Sequence, residues 1–359
     1  MAFEKPHTSY IPCLDGWRAI AVCMVVAHHQ VANTAAQSLP KWLHIDGALG
    51  VDVFFAISGY LICTLLLREE ADTGSINLSQ FYVRRAFRIL PAALTYLLCI
   101  CLLRVAGCIS SVSPREWLGS IFFVRNLQLI APSTWYTNQF WSLAVEEHFY
   151  LILPSFLFLC RKGRLSVLGL ASVVILGAEV FTNHFHLMHS PLQFSDFRLG
   201  ALFVAAAVAV AINQGLRSKA TKILKPLPVL VFSLGAVLFL RDNLALLAIP
   251  FVMIASVLST VLNPVRVGQV LEHPVLRFVG RRSYSIYLWQ QLFFPVRYGP
   301  GIEMHWIQSW PVSFVACFGI SCLSYQYIEQ PMIQIGRRLI KQRSTIEPEL
   351  VSSVLDVAR

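Results

Sequence analysis

Ten apolar stretches divide this chain, at about residues 17–36, 47–67, 89–107, 141–160, 164–183, 197–213, 227–241, 243–262, 283–297 and 309–328. Most are close to the roughly 20 residues that a helix needs to cross a bilayer. Lipid offers the backbone no hydrogen-bond partner, so each stretch is expected as a helix. Of the 359 residues, 56% are hydrophobic and 13% are charged, about half the roughly 25% charge of a soluble domain. The expected fold is an all-α, polytopic membrane bundle of about ten transmembrane helices. Residues 1–343 form the membrane-embedded domain, and 344–359 a polar cytoplasmic tail. The first apolar run holds Arg18 and two histidines and has no small-residue cleavage site, so no cleavable signal peptide is expected. No internal repeat stands out, and no soluble domain is expected to be appended.

A net charge of +10 raises nucleic acid as a partner. The basic residues fall instead in short clusters between apolar runs, including "CRKGR", "RSKATKILK" and "GRRLIKQR". That is how the cytoplasmic loops of a membrane protein read, and nucleic-acid binding is excluded. The run 116–131 decides the parity. If it crosses, three basic loops land outside; if it is re-entrant or interfacial, they land inside. The charge rule favours the second case, with both termini cytoplasmic and the protein in the inner membrane. Nine cysteines lie mostly within apolar runs, with no CxxC and no metal-like spacing, so no metal is expected.

Ionisable residues inside the spans carry the functional reading, because they are costly there and by default mark a site. In "LDGWRAIAVCMVVAHHQ", Arg18 and His29 are eleven positions apart, about three helical turns and roughly 16 Å. They share one face, whereas His28 points roughly 80° away. "GVDVFFAISGYLI" places Asp52, and "WSLAVEEHFYLILP" places Glu146, Glu147 and His148, shallowly in their spans. By depth, His29, Asp52 and the two glutamates form one outer layer. Each alone reads as a satisfied core residue; together they favour function. At the cytoplasmic face, "FYVRRAFRILP" carries Arg84, Arg85 and Arg88. Arg84 reads as an ordinary anchor. Arg85 and Arg88 point one way and, with Arg18, can surround a polyphosphate. A donor with a phosphorylated head and a long thin arm fits such a separation, and an acyl-CoA is one.

These motifs, in this order, resemble the acyltransferase 3 family of integral-membrane O-acyltransferases. "SYSIYLW" (283–289) and "SYQYIEQP" (324–331) extend the likeness to most of the chain. The resemblance implies about ten spans and transfer of an acyl group, commonly acetyl from acetyl-CoA, to a hydroxyl, often on a carbohydrate. By position it puts the essential histidine at His29 and the acyl-CoA contacts at Arg85 and Arg88. It also marks departures: His148 stands where glutamine is usual, Gln290 and Gln291 follow "YLW" where histidine often does, and Gln330 replaces a basic residue.

The expected catalytic set is therefore His29 with Glu147, Glu146 and Asp52, and the expected donor-binding set is Arg18, Arg85 and Arg88. His29 acts as base, with Glu147 or Glu146 first and Asp52 next as its orienting carboxylate. A Ser142–Glu146 pair is expected from their spacing. Asn126 and the Ser58-Gly59-Tyr60 turn are candidates for oxyanion contacts, against packing as the commoner role. Asp15 is read as a cap of the first span, Gly50 and Gly59 as close-packing positions, and Tyr284 and Tyr287 as packing aromatics. Glu329 is expected at the cytoplasmic edge, near Arg18 or another arginine of the clamp. The rival reading is a proton-coupled exporter or flippase of a glycolipid. Acylation of a small molecule such as a macrolide is a further variant.

Overall fold

The computed structural model describes residues 10–33, 47–109, 112–127, 135–184, 198–239, 242–264, 266–294 and 306–342. The tail 344–359 lies outside them, as does Gln30's neighbourhood from 34 to 46. Among the described residues there are helices and no strands. The helices are α1 (Cys13–Asn33), α2 (Gly47–Thr73), α3 (Leu78–Val105), α4 (Pro114–Ile121), α5 (Phe140–Leu159), α6 (Arg164–His184) and α7 (Leu199–Ala211). They continue as α8 (Arg217–Ile223), α9 (Pro226–Phe239), α10 (Asp242–Leu262), α11 (Arg266–Leu271), α12 (Pro274–Arg281), α13 (Ser283–Phe293) and α14 (Val312–Ser324).

Among the described residues, five helical segments are long and apolar enough to span a bilayer: Gly47–Thr73, Leu78–Val105, Trp135–Leu159, Arg164–Phe181 and Leu199–Ile223. Two shorter apolar helices, Pro226–Val237 and Leu247–Leu262, accompany them. The other expected spans are helical but shorter or more polar, α1 because it carries Asp15, Arg18 and two histidines. The protein is thus an all-helical, multi-pass membrane protein. Among the described residues of the ambiguous run 116–131, the helix present is the eight-residue α4, Pro114–Ile121, about 12 Å long and too short to cross. A capping box between Ser113 and Glu116 starts α4, and Phe123, with φ of 52°, turns the chain away just after it.

Sequence patterning sets what faces lipid. On α3, Leu90, Leu94, Leu98 and Leu102 form an exposed stripe at four-residue spacing, one side of a helix. Ile89, Ala93, Tyr96 and Ile100 form its buried side. α2 is the central helix, packed against α1, α5, α7 and α10. Since lipid is as apolar as leucine, such packing relies on small residues and internal hydrogen bonds. Trp17 donates to Thr260 at 2.9 Å, and Ser233 and Ser256 meet at 2.7 Å.

Gly50 lets α1 and α2 approach closely. A Cβ there would stand 2.5 Å from the Ala21 carbonyl oxygen and 3.0 Å from Val25. Gly50→Ala is therefore expected to destabilise by about 1–3 kcal/mol through overpacking. Thermal unfolding in detergent checks it; an unchanged midpoint would mean that the helices separate at no cost.

Candidate active site

Three of the expected arginines meet in one cavity. It encloses about 720 Å³, open space at its mouth included, and Arg18, Arg85, Arg88, Ser58, Glu146 and Tyr287 are among its walls. Asn77 caps α3 by accepting from the Gln80 backbone N–H at 2.9 Å, and α3 then delivers Arg85 and Arg88 into the bundle. Arg85 lies over the Tyr150 ring at 4.4 Å. Arg88 remains accessible, since it faces the cavity, and has Arg18, Arg85 and Glu329 as charged neighbours. Arg84 points elsewhere, bonding Glu69 and Gln80 at 3.3 Å each.

The two helices that frame the cavity on the histidine side run in parallel. A Cβ at Gly280 would meet the Asp15 carbonyl, so the α12–α13 junction is pressed against the start of α1. Ten residues further on, Gln290 of α13 meets His29 of α1, with Nδ1 and Oε1 2.6 Å apart. Ser283, Tyr284 and Tyr287 line the cavity along α13. Gln290, which meets His29, lies one turn beyond Tyr287 on α13, but His29 itself is not among the residues that line the cavity. Trp135 packs edge-on against His29, with ring centroids 4.9 Å apart. Gln290 and Gln291 are both fully buried.

The expected carboxylates occupy other positions. Among the described residues, no hydrogen bond joins His29 to Glu146, Glu147 or Asp52; Gln290 holds the orienting place. Glu146 accepts from Ser58 and, at 2.6 Å, from Tyr150, which places it in the arginine-lined cavity. Glu147, next along α5, is not itself among the residues that line that cavity, but has Glu146 and Arg85 of its lining as charged neighbours. Asp52 forms an ion pair with Arg198 at 2.8 Å, joining α2 to the start of α7. Glu146 and Asp52 are each held by a donor or cation from another element or turn, which depth along a helix does not reveal.

Other expectations are corrected too. Ser142 does not pair with Glu146, because its hydroxyl meets that of Tyr287 at 2.5 Å. Tyr284 and Tyr287 are cavity walls rather than simple packing aromatics. Asp15 lies inside the first turn of α1, where Tyr10 donates to it and Arg18 and Arg281 lie 3.4 Å away. Glu329, by contrast, keeps an arginine of the clamp, Arg88, as a charged neighbour, while it is buried at a π-turn, Tyr325–Glu329, and accepts from Ser285. His148 and Asn126 are joined to each other at 3.3 Å. Trp135 and Tyr150 went unread as site residues. Tyr150 carries a signal, since it lies four residues after Glu146 on one face.

The profile of the acyltransferase 3 family, described as an acyltransferase domain, matches residues 11–326. A Staphylococcus aureus (strain MRSA252) protein named "Putative O-acetyltransferase SAR0937" is 32% identical, the alignment covering 97% of this chain and 61% of the relative. "O-acetyltransferase OatA" of S. aureus (strain NCTC 8325 / PS 47) is 30% identical, over 93% of this chain and 59% of the relative. The chain therefore spans about three fifths of the length of the curated relatives it matches. No solved structure matches it. The profile covers nearly the whole described bundle, from the foot of α1 to the π-turn that holds Glu329, and on that match the chain belongs to the acyltransferase 3 family.

Proposed function

We propose that this protein is an inner-membrane O-acyltransferase, with both termini cytoplasmic, that moves an acyl group, acetyl by preference, from acyl-CoA to a carbohydrate hydroxyl. The observation that carries this reading is one cavity lined by Arg18, Arg85 and Arg88 and by Ser283, Tyr284 and Tyr287 of α13, the helix whose Gln290 meets His29. The S. aureus relatives' names supply the acetyl group and the oxygen acceptor. Arg18 pairs with Asp15, and Arg88 has Glu329 as a charged neighbour, but all three guanidinium groups converge on a cavity whose lining includes one carboxylate, Glu146, and that convergence suits an anionic ligand. Guanidinium forks match phosphate oxygens in geometry and charge.

In the proposed reaction, His29 takes the proton of the acceptor hydroxyl as its oxygen attacks the thioester carbonyl carbon. The new C–O bond forms as the C–S bond breaks. The leaving thiolate takes up the proton held by His29, and ester and free thiol result. Glu146 and Glu147 are assigned to the cavity and its surroundings, where they moderate the arginine charge. Asp52 is assigned to holding α2 in place through Arg198. Arg18, Arg85 and Arg88 bind the donor.

Transfer of labelled acetyl from acetyl-CoA to envelope glycan by membranes containing the protein tests the reading. Arg88→Met is expected to raise the acetyl-CoA KM by about tenfold to a hundredfold, because a charge-assisted bond contributes about 1.5–3 kcal/mol. At saturating donor, kcat should stay within about threefold. An unchanged KM would remove the cavity from donor binding. A protein that moves glycolipid without using acetyl-CoA would instead be the exporter.

A further inference from the structure

We propose that Gln290 and Gln291 form a two-amide relay, anchored on the Trp135 backbone, that locks His29 as the Nδ1–H tautomer and presents Nε2 as its basic atom. The catalytic value of this device rests on His29 being the base; the tautomer itself does not.

The polarity of the relay is set by a group that can only accept. The Gln291 side-chain nitrogen lies 2.8 Å from the Trp135 carbonyl oxygen. A carbonyl cannot donate, so that end of the Gln291 amide must be its NH₂. Its Oε1 then faces the Gln290 nitrogen at 2.9 Å, which fixes the Gln290 NH₂ as donor. Gln290 must therefore turn its own Oε1 to His29, 2.6 Å from Nδ1. An oxygen facing that nitrogen requires a proton on Nδ1, and a neutral imidazole then has its lone pair on Nε2. Flipping Gln290 alone would set two oxygens face to face against Gln291, in a site where both amides are fully buried and the low dielectric magnifies the mismatch. The Trp135 indole N–H donates back to the Gln291 carbonyl at 2.8 Å, so anchor and relay hold each other in register.

Second-shell carboxylates usually perform this task for a histidine. Here no carboxylate bonds His29 among the described residues. A neutral relay has a different consequence: it orients the ring without adding a negative charge beside it. Gln290 and Gln291 are thus positioning residues for the proposed transfer.

The test uses the full chain in lipid bilayers, labelled with ¹⁵N-histidine, with His29→Asn identifying the His29 signals. In the wild type, Nδ1 is expected to carry the proton and Nε2 to show the shift of an unprotonated nitrogen. In Gln290→Met, which keeps the volume and removes the acceptor, the Nε2–H form should appear. Gln291→Met, which frees the Gln290 amide to rotate, should produce a mixture. An Nε2–H signal in the wild type, or no change in either variant, would overturn the relay. Turnover supplies the second arm. Gln290→Met should lower kcat by about tenfold to a hundredfold, with the donor KM within about twofold. That is less than the roughly 10⁴-fold of an enforced wrong tautomer, because both forms stay accessible. The double variant Gln290→Glu with Gln291→Met, which keeps an acceptor oxygen facing Nδ1 and removes the amide oxygen that would oppose the second carboxylate oxygen, should recover most of the loss. Equal losses in Gln290→Met and this double variant would assign Gln290 to packing. A wild type with the expected nuclear signals but no acetyl transfer would refute the function while leaving the relay intact.

Discussion

His29→Ala is expected to lower kcat for acetyl transfer by about 10²–10⁴-fold, the usual contribution of a positioned base. An alcohol is a weak nucleophile at neutral pH, and His29 is the imidazole held by α13, the helix that lines the arginine cavity with Ser283, Tyr284 and Tyr287. The donor KM should stay within about twofold, because Arg18, Arg85 and Arg88 line the cavity independently of the histidine ring. His28→Ala is the matched control. A Cβ built on Gly47 would stand 2.9 Å from the His28 Cβ, so His28 packs against the first turn of α2 and turns away from Gln290. That variant should keep kcat within about threefold. A dead His28→Ala beside an active His29→Ala would mean that α1 presents the opposite face to the substrate. Radiolabelled acetyl transfer with both kinetic constants resolved decides it.

How much of this was legible in the sequence depends on which interactions are local. The helical register of Arg18 and His29 follows from spacing alone, and so does the shared face of Arg85 and Arg88. The convergence of Arg18, Arg85 and Arg88 on one cavity required helix packing, yet their similar depth already pointed to it. The partners of the carboxylates were not legible. Asp52 meets Arg198 across 146 positions, and Ser58 meets Glu146 across 88. Depth places residues in a layer but does not say which neighbours the helices bring into contact. Gln290 and Gln291 were noted only as departures from a family pattern. A physical signal was present: two adjacent amides inside an apolar helix are costly to bury and need partners. An amide pair in a span merits the attention given to an intramembrane charge. Trp135 lies outside any periodic segment, and its role became visible only through the carbonyl it offers.

The largest stability effect is expected away from the cavity, at the buried ion pair of Arg125 and Glu116. The groups are 3.1 Å apart, with side chains 4% and 1% exposed. Arg125→Met leaves the Glu116 carboxylate in the interior without that guanidinium and should destabilise by about 3–5 kcal/mol. The double variant Arg125→Met with Glu116→Gln should lie within about 1.5 kcal/mol of the wild type. No buried charge is then left, and glutamine can still accept from the Ser113 backbone N–H in the capping box, as Glu116 does at 2.8 Å. Detergent unfolding of wild type, both single variants and the double variant measures this coupling. Simple additivity of the two single losses would rule out charge burial as the cause. The same pair should reach the chemistry. The Arg125 guanidinium also donates to Thr137 at 3.4 Å, two residues from the Trp135 carbonyl that anchors the glutamine relay. Tyr96 pins that turn from α3, donating to the Tyr136 carbonyl at 2.7 Å. Arg125→Met should therefore lower kcat more than it changes the donor KM, since it loosens the Trp135 turn on one side and leaves the arginine cavity in place. Because the Thr137 bond is lost in both, the double variant should regain stability but not full turnover. That separation distinguishes an anchor of the relay from a fold-stabilising pair.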